Sequence, residues 1–91
     1  MTITSIPRAS LSTASSSGAV TCDINIGGTS ILGANKLSID ANETTSTTAT
    51  TPTTLANNPT NVSDDAEFSV DIDGAGTGAT GLKVTIYYNV V

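Results

Sequence analysis

Three stretches of this chain alternate apolar and polar residues with a period of two, and that alternation constrains the fold more than any other feature. Val20, Cys22, Ile24 and Ile26 fall on even positions, between Ala19, Thr21, Asp23 and Asn25. Ala66, Phe68, Val70 and Ile72 then face one way, against Glu67, Ser69, Asp71 and Asp73. Leu82, Val84, Ile86, Tyr88 and Val90 line one side of a third stretch, with Lys83, Thr85, Tyr87 and Asn89 on the other. Successive side chains of a strand point to opposite faces, so each stretch reads as a strand with one buried face. Tyr88 is thereby expected in the core and Tyr87 outside it. No helical period competes with these patterns.

The turns follow from glycine, asparagine and proline. Gly27-Gly28 directly after the first stretch supplies the positive φ angles of a tight hairpin, which returns the chain into residues 29–32. The 74–81 segment is expected to join the second and third stretches as an antiparallel pair. Weaker strands are expected over 2–12, where Pro7 implies an edge position or a bulge, and over 36–40, where Leu37 and Ile39 point inward. Residues 44–50 are nearly all Thr, Ser and Ala. Because Thr packs its methyl on a pleated surface, they are read as a thin polar strand. Pro52 and Asn57-Asn58-Pro59 mark a loop before Val62. The expectation is one all-β domain over residues 1–91: a small antiparallel β-sandwich of about 6–8 short strands, with a jelly-roll topology left open.

Composition sets the size of the core and excludes several chemistries. Leu, Ile, Val and Phe supply only 20 of the 91 residues, whereas Thr and Ser supply 28, so the core is one thin layer between two sheets. A chain of this length buries only about 60–65% of its unfolded surface, and further burial against partners is a natural supplement. With no histidine, Ser–His–Asp and Cys–His catalysis are ruled out. Three cations against eight acids, net charge −5, leave nothing to neutralise a row of phosphates, so nucleic acid is not an expected partner. No stretch approaches the roughly 20 apolar residues of a membrane span, and the residues after Met1 do not resemble an export signal. The single Cys22 cannot form an internal disulfide and reads as a small apolar core residue.

Three motifs carry a chemical reading that their context argues against. Gly76-Thr77-Gly78-Ala79-Thr80-Gly81 fits the G-x-G-x-x-G dinucleotide fingerprint letter for letter. That fingerprint needs a helix whose N-terminus holds the pyrophosphate, and here a period-two strand follows, so a hairpin loop is expected. Asp71-Ile72-Asp73-Gly74 has the look of a calcium loop. Counted from Asp71, however, Ala75 and Leu82 stand where ligands belong, and with Glu67 the two aspartates form a solvated acidic stripe. Asp64-Asp65 is read as a turn at a strand entry rather than as acid–base chemistry. No metal and no cofactor is expected. Tyr87 is the one aromatic side chain placed on an outer face, and a subunit or partner contact is assigned to it.

The order of these features resembles a β module that recurs in tail fibres and other virion proteins of tailed bacteriophages. The resemblance spans nearly the whole chain. It begins with Thr2-Ile3-Thr4 and Ala9-Ser10-Leu11-Ser12-Thr13, continues through Asp23-Ile24-Asn25, and is densest over Gly28-Thr29-Ser30-Ile31-Leu32, Leu37-Ser38-Ile39-Asp40-Ala41 and Glu43 to Ala49. Ser63-Asp64-Asp65-Ala66-Glu67, Val70-Asp71-Ile72-Asp73 and Gly81-Leu82-Lys83-Val84 are similar to its closing hairpin. It implies a structural, surface-displayed β domain, used in homotrimers, with no catalytic signature.

The expected function is therefore non-enzymatic: a bacteriophage virion structural protein on the particle surface. A capsid decoration or cement homo-oligomer, a trimer before other orders, is the leading form, with the major capsid protein or other virion proteins as partners. A module that makes up nearly a whole chain is expected to dock by its own surface. The alternative is a tail- or head-fibre module that recognises host surface glycan or protein through the 74–81 or 57–61 loops.

Overall fold

The computed structural model describes residues 1–90. The chain is all-β, with eight short strands and one turn of 3-10 helix among the described residues. The strands are β1 (Thr2–Ile3), β2 (Arg8–Ser10), β3 (Val20–Ile26), β4 (Thr29–Ser30), β5 (Leu37–Ile39), β6 (Thr60–Asn61), β7 (Phe68–Ala75) and β8 (Lys83–Thr85). They form two antiparallel layers in a body of 40 × 21 × 20 Å.

The first layer is built on β3, the longest stretch of alternation with a buried face. β7 runs antiparallel along one side of it, from Ile26↔Phe68 to Val20↔Ala75. β4 and β5 share its other side, at Ile26↔Thr29 and Cys22↔Leu37. Gly27 and Gly28 turn the β3–β4 hairpin at φ 57° and 85°, the two consecutive positive angles of a twist-matched two-residue turn. Between Thr21 and Cys22 the register with β7 slips at a bulge. Asp73 is the extra residue, so it stays on the outer face beside Asp71.

The second layer runs the two ends of the chain against each other. β2 pairs with β8 through Ala9↔Val84, and isolated bridges extend the contact to Thr13↔Thr80 and Thr2↔Asn89. Six steps from Thr2 to Arg8 face only four from Asn89 to Thr85. The surplus is taken up as a bulge between Ile3 and Arg8, where the chain bends at Ser5 and the Pro7 ring is buried, one of the two arrangements that a proline in a strand pattern allows. β6 lies on the other side of β1, and Thr45 bridges the other side of β2 at Ser10.

One contiguous core lies between the layers. Ile3, Ala9 and Leu11 come from the second layer; Val20, Cys22, Ile24, Leu37 and Ile39 come from the first. Ile31, Leu32 and Val62 close it from the connecting segments. One flank of the sandwich is sewn shut. The chain passes from β5 to Thr44, whose carbonyl accepts from Leu11 N, and residues 31–33 exchange hydrogen bonds with 54–56.

Three sequence expectations are corrected. β7 and the last stretch do not pair with each other: each takes a partner in its own layer, β3 and β2, and the 76–82 loop crosses between layers instead of closing a hairpin within one. The 44–50 stretch is not a strand. After the bridge at Thr45 it turns into the 3-10 helix Ser46–Thr48, because the Thr45 hydroxyl caps Thr47 N and outcompetes the extended form. The stretch 82–90 is regular only over Lys83–Thr85.

Candidate interaction surface

Tyr87 stands on the outer face of the second layer, 44% exposed, where alternation puts it. The bulge at Pro7 carries Arg8 to the same face, with its guanidinium carbon 5.8 Å from the Tyr87 ring centroid, a cation–π approach. Beside Arg8, a groove of about 350 Å³ runs between the bulge (Ile6, Pro7), Leu37 and the Ser46–Thr53 stretch. Its wall is held by Ser46, whose hydroxyl accepts from Ala9 N at 2.9 Å. Ile6 adds an exposed apolar side chain there.

The opposite flank is open. β7 and the 80–89 segment are the edges of their layers on that side, and among the described residues neither has a strand on its free edge. Val70 and Ile72 pair with Ile24 and Cys22 and so point to the inner face, yet they are 42% and 58% exposed. Tyr88, expected in the core, is 57% exposed, and Val90 is exposed as well. Phe68, Leu82, Val84 and Ile86 are only partly covered. Val70 and Ile72 take the face that alternation gave them, and among the described residues nothing covers them; Tyr88 and Val90 lie beyond the regular part of β8, and the core position expected of Tyr88 is not taken. A cleft of about 170 Å³ runs along the seam, bounded by Leu11, Val20, Ile72, Ala75, Ala79 and Leu82.

The acidic stripe is present on the outer face of the first layer, and it is internally tied. Asn25 donates to Asp71 at 2.8 Å, which accounts for the burial of Asn25 on a face expected to be outside. Lys36 reaches across β3 to Asp73 at 2.9 Å and to Asp23 at 3.5 Å. The hydrogen bond to Asp73, reinforced by both carboxylate charges, raises the Lys36 ammonium above its ordinary value. Cys22 lies on the inner face beneath this group, 1% exposed. Burial first, and then Asp73 and Asp23, push its thiol up. Among the described residues no three His, Cys, Asp or Glu side chains gather as metal ligands. Asp64-Asp65 forms a turn in which Asp65 takes a positive φ of 61°.

The 76–81 glycines answer to backbone geometry. Gly76, Gly78 and Gly81 all have positive φ, and β8 follows them. Ser15, fully buried, shares its one hydroxyl hydrogen between the carbonyls of Ser17 and Gly18 and accepts from Thr77 N at 2.9 Å, which locks this loop to the 15–18 turn. The 57–61 loop is fastened elsewhere, with Asn58 donating to the Thr4 carbonyl, so the two candidate recognition loops do not meet.

Sequence reasoning placed Tyr87 and missed Arg8, Ile6 and the seam. Arg8 was legible as the only arginine, next to a proline for which an edge position or a bulge was expected. The seam was not, since a period of two says which face a side chain takes and nothing about how far the opposing sheet extends. No family model, no curated protein and no solved structure matches the chain.

Proposed function

We propose that this chain is a non-enzymatic structural protein of a tailed-bacteriophage virion, displayed on the particle surface as a capsid decoration or cement homo-oligomer, with a trimer as the favoured order. The observation that carries the proposal is the open seam. A domain whose inner face stays exposed along one whole flank is built to be completed by contact with other protein. The resemblance of its strand-forming stretches to a virion β module supplies the setting. The acidic outer face of the first layer suits the hydrated side of such an assembly, and the Arg8–Tyr87 patch with its groove offers a docking surface for the major capsid protein or another virion protein.

The test is co-sedimentation of the purified chain with capsids that lack it. Saturable binding, weakened at least tenfold by Tyr87→Ala together with Arg8→Ala, is the expected result. A chain that stays a stable monomer and leaves those capsids bare overturns the proposal.

The second reading, recognition of host glycan or protein by a fibre module, draws on the 74–81 and 57–61 loops, which stand out from a rigid frame. Because they are fastened at separate places, each would have to act alone. Glycan binding that disappears when either loop is shortened, with assembly intact, would favour this reading over decoration.

A further inference from the structure

We infer that the seam is closed by a second copy of this chain, with the β7 edge of one copy adding to the β8 edge of the next. This deepens the homo-oligomer part of the proposed function and is independent of the particle part. The surface is unusual for a lone domain. β7 is eight residues long, free of proline, apolar on its inner face, and bare along one edge among the described residues. Such an edge is a template for another strand, and the bulge at Asp73 together with the acidic outer face restricts which strand it accepts.

Charge selects the partner edge. The outer face of β7 is net acidic, through Glu67 at its start and Asp71 and Asp73 within it, with Asp73 already paired to Lys36 and Asp71 held by Asn25. The outer face of β8 carries Lys83, which is exposed and makes no ion pair among the described residues, and the neighbouring β2 carries Arg8. A two-fold axis perpendicular to the sheets would lay β7 against β7 and set acid beside acid, which destabilises paired strands. A rotation axis along the strands instead lays β7 beside β8 of the next copy, acid beside base. β7 enters the 76–82 loop and β8 leaves it, so the two run in opposite directions and the new pair is antiparallel. Each copy then offers one lip of each kind, and either two or three copies close the ring, with Ile72 turned into the shared interior.

The experiment is light scattering after size-exclusion chromatography on the full chain, with circular dichroism as the folding control. A dimer or trimer is expected, converted to monomer by Ile72→Arg with an unchanged spectrum. Lys83→Glu, at an exposed site whose side chain makes no hydrogen bond or ion pair among the described residues, should weaken association at least tenfold. To identify the edges, Ser69→Cys and Thr85→Cys chains are treated with a short bismaleimide. Cross-linking is expected in the mixture and not in Ser69→Cys alone. A wild-type monomer at the highest soluble concentration, an oligomer indifferent to both substitutions, or efficient self-cross-linking of Ser69→Cys overturns the inference. A monomer that still binds capsids would refute this contact and leave the particle reading standing; an oligomer that ignores capsids would do the reverse.

Discussion

At Gly76 two demands coincide. Its φ of 62° lies in the left-handed region, and a Cβ there would drive into Ser15, which is fully buried and whose hydroxyl already donates to the 17–18 carbonyls and accepts from Thr77 N. Gly76→Ala is therefore expected to lower stability by about 1–3 kcal/mol, read from denaturant unfolding; an unchanged midpoint would show that the loop is not fixed as described. The second residue-scale prediction concerns alkaline pH. Cys22 and Lys36 both hold their protons more tightly in the folded chain than their ordinary values of 9.0 and 10.5. The stability this adds is complete below those values and is lost as pH rises through the folded ones. Unfolding curves should thus be level up to about pH 8 and shift to lower denaturant above about pH 9, the thiol acting first. The native thiol should also resist a disulfide reagent that labels it fully once the chain unfolds. Prompt native labelling would place Cys22 outside the core.

At the scale of elements, β3 and β7 show how one pattern yields two outcomes. Both alternate, and their residues face each other pair by pair. Ile24 is wholly buried between the sheets, however, while its near neighbour across the ladder, Ile72, is more than half exposed. Ile24→Ala is expected to lose about 2–5 kcal/mol. Ile72→Ala in dilute protein should change stability by less than about 1 kcal/mol, as surface positions do. Similar losses at both would mean that the seam is closed within the single chain. The same pair shows what the sequence makes legible. Period two identified the strands, the Gly27-Gly28 hairpin, the inward Leu37 and Ile39 and the outward Tyr87, because each depends on neighbours within a few residues. The partner of β7, the crossing of the 76–82 loop and the exposure of Tyr88 depend on where separate layers end, which no local pattern encodes. The threonine run misled for a local reason: β propensity favoured a strand, and a capping hydroxyl at Thr45 stopped it.

For the whole molecule, a thin core and one open flank go together. The radius of gyration is 13.1 Å, against about 12 Å for a compact domain of this length. Apolar residues join the layers on the sewn flank, and on the other flank Val70 and Ile72 stay uncovered. A chain completed by its own copies should melt at a temperature that rises with protein concentration, because association draws on the folded state alone. Ile72→Arg should abolish that dependence, and a concentration-independent melt of the wild type would argue that folding ends within one chain. The virion reading rests on where the chain is found. Immunogold electron microscopy with antibody to this chain, on tailed phage particles from the source that encodes it, tests that claim most directly. Label spread over the head is the expected result, and label confined to the tail end would transfer the role to host recognition. Particles that carry no label would contradict the claim that this is a virion protein.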